Sequence, residues 1–233
     1  RSTMQPTTSV TIQGEGTYTI EPTTGLVTFV PDPSYKEKGT GVTVQATDSN
    51  GETSTATYTP TVTPVSLTST DVTSKDIQGA EQEGTPTFAL SNGAEATTTI
   101  TGYKLVDPTT GQATDETSVV VQSVGRYTID STTGKVTFQP DGAYKGTPDA
   151  IKVEATATVK NAKNETASIT KEATYTPTVI PVTPSSEASE TTGPQGQAQT
   201  SVIKYDTTDT DASTVNFTKG SAMVETVEKS VEL

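Results

Sequence analysis

The sequence has no cysteine, no histidine and no tryptophan. Without cysteine there is no disulfide, no thiolate nucleophile and no thiolate metal site. Without histidine the commonest general base and metal ligand is missing, so Ser/His and Cys/His nucleophile systems are excluded. Positive charge is also scarce: 15 Lys and Arg stand against 28 Asp and Glu, a net charge of −13. Nucleic-acid binding needs clustered cations to displace counterions, and this balance cannot supply them. An anionic membrane surface is disfavoured for the same reason. No apolar run reaches the roughly 20 residues of a spanning helix, so no membrane insertion is expected. No secretory signal stands at Arg1-Ser2-Thr3-Met4, and the chain reads as a piece of something longer.

Apolar material is thin as well. Hydrophobic residues make up 30 % of the chain, with eight Tyr and four Phe. That is too little for one large core and predicts two or three thin modules. Acidic chains rich in Thr, Ser and Pro often fail to collapse. Here a regular strand pattern argues for folding instead.

What is present is a repeat. Residues 16–29 read GTYTIEPTTGLVTF and residues 125–138 read GRYTIDSTTGKVTF. Both continue into a Pro-Asp step (Pro31-Asp32, Pro140-Asp141) and a Tyr-Lys pair (Tyr35-Lys36, Tyr144-Lys145). The offset of 109 residues holds through Val42–Thr47 and Ile151–Thr156. Further on, Thr57-Tyr-Thr-Pro-Thr-Val62 matches Thr174-Tyr-Thr-Pro-Thr-Val179 at an offset of 117. The second copy therefore carries eight extra residues between these blocks. Asp48-Ser49-Asn50-Gly51 is a tight turn in the first copy; a longer stretch around Lys160–Asn164 replaces it in the second. A folded β module tolerates insertion at a hairpin tip. The offset of 117 continues through Gln78-Gly79 with Gln195-Gly196 and Phe88 with Tyr205, after which it fades. The expected division is thus 1–66, the back part of one copy; 67–183, a whole copy; and 184–233, the front part of a third. A cut into 1–116 and 117–233 is the alternative phase.

The local patterns predict strands. Tyr18-Thr-Ile20 and Val27-Thr-Phe29 alternate apolar and Thr residues, the two-residue period of a half-buried strand. Between them Glu21-Pro22-Thr23-Thr24-Gly25 is a hairpin loop, with Pro presetting φ and Gly supplying φ > 0. The loop recurs at Thr132-Thr133-Gly134, and at Asp107–Gly111 after a strand at Tyr103–Val106. Val42–Thr47 and Ser54–Val62 make a second hairpin, in which Pro60 marks an edge or a point where the strand leaves its sheet. Thr63-Pro64-Val65 and Ile180–Pro184 read as stiff, extended connectors. The tail 221–233 carries Met223, Val224, Val227 and Val231, which fit a helix face or a strand. The fold class expected is all-β: tandem small antiparallel sandwiches, Ig-like, in an elongated array. Tyr18, Ile20, Val27, Phe29, Val42 and Val44 form one predicted core. Tyr127, Ile129, Val136, Phe138, Ile151 and Val153 form its counterpart.

In order, GTYTIEPTTGLVTFVP, TYTPTVTPV and the IQG segment at Ile77-Gln78-Gly79 resemble the CshA-type fibril repeat of wall-anchored adhesins from streptococci and related Gram-positive bacteria. The resemblance covers most of residues 9–200 and fades where Lys204-Tyr205-Asp206 replaces a stretch like Gly84-Thr-Pro-Thr-Phe88. It implies a shaft that projects a separate binding region from the cell wall, at the bacterial surface. Its implied partners are neighbouring repeats in series and, through the full-length protein, a host extracellular glycoprotein or other bacteria. The lack of cysteine fits a bacterial surface protein better than a small secreted eukaryotic module.

No catalytic constellation is visible, and no enzyme activity or cofactor is expected. A carboxylate pair could hydrolyse a glycoside, yet acids such as Glu21 and Asp130 fall in loops or at exposed alternate positions. Asp206, Asp209 and Asp211 form an oxygen-rich candidate metal cluster, without the Gly and distal Glu of a Ca²⁺ loop. Lys135 and Lys152 lie on strands and are candidates for a lysine–asparagine cross-link. The first copy has Leu26 and Thr43 in their places, which counts against a shared staple.

Overall fold

The computed structural model describes residues 6–91 and 93–207. The first copy contributes a three-stranded antiparallel sheet, β1 (Ser9–Ile12), β2 (Gly16–Ile20) and β3 (Val27–Pro31), and a separate hairpin of β4 (Val42–Thr47) and β5 (Thr53–Tyr58). The second copy holds β6 (Leu67–Thr70), β7 (Val72–Ile77), β8 (Gln82–Gly84), β9 (Thr87–Leu90), β10 (Thr98–Asp107), β11 (Gln112–Ala113), β12 (Ser118–Val121), β13 (Gly125–Ile129), β14 (Val136–Pro140), β15 (Ile151–Lys160) and β16 (Thr166–Ile180). A short 3₁₀ turn, Ala94–Ala96, is the one helical element among the described residues. Two further strands, β17 (Pro184–Glu187) and β18 (Lys204–Thr207), pair with each other.

In the second copy, one sheet runs β11-β10-β15-β16-β7 and another β12-β13-β14-β8. Leu105, Tyr127, Ile129, Val136, Phe138, Ile151, Val153, Tyr175 and Val179 pack together as its core. All six core residues expected from the alternating pattern are among them. Leu105, Tyr175 and Val179 join from strands whose pattern alone did not single them out.

The pairing is antiparallel throughout the described strands except at one place. The far end of β16 runs parallel to β7, from Tyr175 opposite Val72 to Ile180 opposite Ile77. A parallel pair needs a long crossover rather than a tight turn, and most of the second copy lies between these two strands. The β15–β16 ladder ends at Ile151 opposite Tyr175. Pro177 therefore sits just beyond the antiparallel ladder, where its missing N–H is tolerated. The equivalent Pro60 lies past the end of β5.

Several strands recur between copies at the same positions. At an offset of 109, β1, β2 and β3 repeat as β12, β13 and β14; at 117, β6 and β9 repeat as β17 and β18. Their registers repeat too: Leu67 faces Leu90, as Pro184 faces Thr207. The first copy has no counterparts of β7, β8 and β10 among its described strands. Of its six expected core residues only Tyr18 is buried, and Tyr58 is 39 % exposed where the equivalent Tyr175 is fully enclosed.

Candidate functional site

The recurrent loop is the most regular feature of the surface, and its residues explain it. In all three occurrences the glycine amide donates to the carbonyl four residues earlier: Gly25 to Glu21 at 2.8 Å, Gly111 to Asp107 at 2.7 Å and Gly134 to Asp130 at 2.8 Å. Those glycines have φ of 73°, 70° and 77°, the left-handed region that side chains disfavour. The leading acid caps the turn. Thr109 N donates to Asp107 Oδ1 at 2.8 Å, and Thr132 N to Asp130 Oδ1 at 2.8 Å. The second Thr closes it, accepting from Leu26, Gln112 and Lys135 N at 3.3 Å in each case. The Thr109 hydroxyl and amide hold the Asp107 carboxyl below the usual range, and the Thr132 and Thr133 amides do so for Asp130. Glu21 is likewise lowered by the Thr23 hydroxyl and amide. These carboxylates are structural caps, each occupied by its own turn.

A second acid is interior. Glu15 is 5 % exposed. It accepts from the Tyr18 hydroxyl at 2.5 Å, the Thr40 hydroxyl at 2.7 Å and the Thr40 amide at 3.0 Å. The Tyr18 bond, reinforced by Thr40, keeps its carboxyl below the usual range against the burial that raises it. Burial first, and then the Glu15 bond, push Tyr18 up to about 12. In the second copy Val124 occupies the Glu15 position, and the buried Tyr127 hydroxyl has no protein partner.

The candidate cross-linking lysines are on the surface in ion pairs: Lys135 with Glu83 at 2.8 Å and Lys152 with Glu172 at 2.7 Å. No group of three or more potential metal ligands occurs among the described residues. Asp209 and Asp211, like the tail 221–233, lie outside the described residues; so does the Asp206 side chain.

Two concave regions stand out. One, of about 560 Å³, lies between the β10 bulge at Ile100–Gly102, the 114–117 loop and the Ser131-Thr132 turn. Lys104 and Asp115 pair on its wall at 2.6 Å. The other, of about 270 Å³, lies where the two copies meet, with Pro33, Tyr35 and Val62 on one side and Val159, Ala167 and Ile169 on the other. Sequence reasoning missed both, since each is assembled from segments distant along the chain.

These features define a tandem β-repeat protein whose acids cap turns and whose commonest side chain, threonine, lines its strands. The chain belongs to the surface adhesin CshA repetitive domain family, whose model matches residues 1–62 and 64–179. None of the curated proteins matches it. The family is one of adhesin repeats rather than enzymes, and it sets the chain outside the cell, at its surface. Among the described residues no helix is long and apolar enough to cross a membrane.

Proposed function

We propose that this chain is a shaft segment that carries an adhesive region away from a Gram-positive cell wall, to which the full-length protein is anchored. In this reading residues 67–183 are one whole copy that folds on its own, preceded by the back part of one copy at 1–66 and followed by the front part of another at 184–233. The observation that carries this reading is the repeated opening of a unit. The β6–β9 pair recurs as β17–β18 with the same spacing and register, directly after the short link of residues 181–183 that follows β16. The strands of both second-copy sheets come from within 67–183, which favours that phase over a cut at 116. Units joined in series add reach with each copy, proline connectors limit bending, and net charge keeps neighbouring shafts apart. Small-angle scattering tests it. A compact globule of this length would have a radius of gyration of about 17 Å; a shaft segment gives a clearly larger value, and the compact value would overturn the proposal.

A second reading, direct attachment to a host glycoprotein or another microbe, is favoured by the open groove beside Lys104 and Asp115, where loops at the end of the four-stranded sheet meet β10. Loops at such ends are common binding surfaces. Beads coated with the chain should lose attachment when Lys104→Ala and Asp115→Ala are combined. Undiminished attachment would remove this reading.

A further inference from the structure

The eight residues by which the second copy exceeds the first reach back to the preceding copy. Lys160 and Thr166 close the β15–β16 ladder, and the tip runs from Asn161 to Glu165. Asn161 Oδ1 organises that tip by accepting from Lys163 N and Glu165 N, both at 3.0 Å. Its Nδ2 donates outward to Pro31 O of the first copy at 3.0 Å, as well as to Glu165 Oε2 at 2.7 Å. Lys163 Nζ donates to Thr17 Oγ1, also in the first copy, at 2.5 Å. Thr17 is 8 % exposed and is itself in contact with Thr11 Oγ1 at 3.2 Å. Below the tip, the half-buried Val159, Ala167 and Ile169 line the cleft opposite Val62, Pro33 and Tyr35. The connector residues Thr63 and Val65 lie along the same cleft.

We propose that this extended hairpin is a clasp that fixes the angle between consecutive copies, and that hairpin length is the local code for a stiff joint. A short connector restrains how far two units can separate but leaves their rotation open, and such motion is the default without a sizeable interface. The hairpin adds a second, laterally displaced attachment, and two attachment points off one axis remove that rotation. The first copy's own hairpin turns at Asp48–Gly51 and is eight residues shorter, so its reach is less. This goes beyond the shaft reading and does not depend on it. Extension is a property of the whole chain, whereas a clasp is measured at one joint.

The test uses the full chain, whose lack of cysteine gives a clean background for labelling. Spin labels at Ser49→Cys and Glu116→Cys, both exposed, report the distance between the copies. The parent chain should give one narrow distance distribution. Asn161→Asp combined with Lys163→Met keeps the Oδ1 turn bonds while deleting both donations to the first copy, and should broaden that distribution about twofold or more. A second variant replaces residues 157–169 with the first copy's Asp-Ser-Asn-Gly-Glu and should broaden it further. Circular dichroism melting of each variant checks that the second copy stays folded. A broad distribution in the parent would overturn the clasp, as would an unchanged narrow one in the folded double variant.

Discussion

The Tyr18 hydroxyl donates to the buried carboxylate of Glu15 at 2.5 Å, and the next copy keeps the tyrosine but not the acid. Val124 stands at the Glu15 position and Tyr127 at the Tyr18 position. Each tyrosine packs on the equivalent phenylalanine of its own copy, Phe29 at 4.4 Å and Phe138 at 4.6 Å between ring centroids. The ring is thus common core material, while its hydroxyl is satisfied only in the first copy. An unsatisfied buried hydroxyl carries a penalty of about 1–3 kcal/mol. Tyr127→Phe should therefore raise the thermal midpoint of the second copy, by about 1 kcal/mol in stability. Tyr18→Phe should lower that of the first, because it leaves Glu15 short of its strongest partner. Differential scanning calorimetry on both variants checks the opposite signs.

Acid should destabilise the protein. The carboxyls of Glu15, Glu21, Asp48, Asp107 and Asp130 all sit below their ordinary values when folded. The main causes are the Tyr18 hydroxyl for Glu15, the Thr23 hydroxyl for Glu21, the Glu52 and Asn50 amides for Asp48, the Thr109 hydroxyl for Asp107 and the Thr132 amide for Asp130. A group with a depressed folded pKa binds fewer protons folded than unfolded, so stability rises with pH across its titration. The contribution is complete above the unfolded values of 4.5 for Glu and 3.8 for Asp, and it is lost as pH falls through the lower folded values. Urea midpoints should be flat from pH 8 to about 6 and fall steadily below about 4.5. A midpoint that rises on acidification would contradict the capping role.

Gly125 is a glycine of the second copy that backbone atoms leave no room to replace. Its φ is 154°, and a Cβ there would meet Gln139 O at 2.4 Å and Pro140 Cα at 2.8 Å. Both are backbone atoms of the paired strand β14, which cannot swing aside. Gly125→Ala should destabilise by about 1–3 kcal/mol or more, read as a shift in urea midpoint. The same clash stands at Gly16 against Val30 O and Pro31 Cα, so Gly16→Ala should act alike on the first copy.

Lys135→Ala and Lys152→Ala should each leave the urea midpoint nearly unchanged. Both ion pairs are roughly half exposed, where solvent and salt screen the attraction. The intact mass should equal that of the unmodified sequence. Loss of one ammonia would instead reveal a lysine–asparagine cross-link.

Limited proteolysis should cut first near residues 66 and 183, in the connectors, and release a resistant fragment of 67–183. A single early cut near 116 would support the other phase, since residues 114–117 join the five-stranded sheet to the four-stranded one.

Much of this was legible in the chain. Two-residue alternation placed β2, β3, β13 and β14, because every second side chain of a strand faces the same side. The Pro/Ser-Thr-Thr-Gly loops were readable because the turn needs a left-handed glycine and a capping acid at fixed spacing. The repeat itself pointed to the adhesin family.

What the residues could not disclose is everything set by contacts between distant segments. The pairing of β7 with β16 joins residues about a hundred positions apart, and no local period reports it. The lost partner of Tyr127 is invisible until Val124 is seen standing where Glu15 stood. The eight inserted residues read as a tolerated loop, yet their donors end on Pro31 and Thr17 of the preceding copy. Local periodicity and turn chemistry are carried by neighbours in the chain and can be read from it. Burial, satisfaction of buried hydroxyls and the joint between copies arise only when the fold brings remote residues within bonding distance.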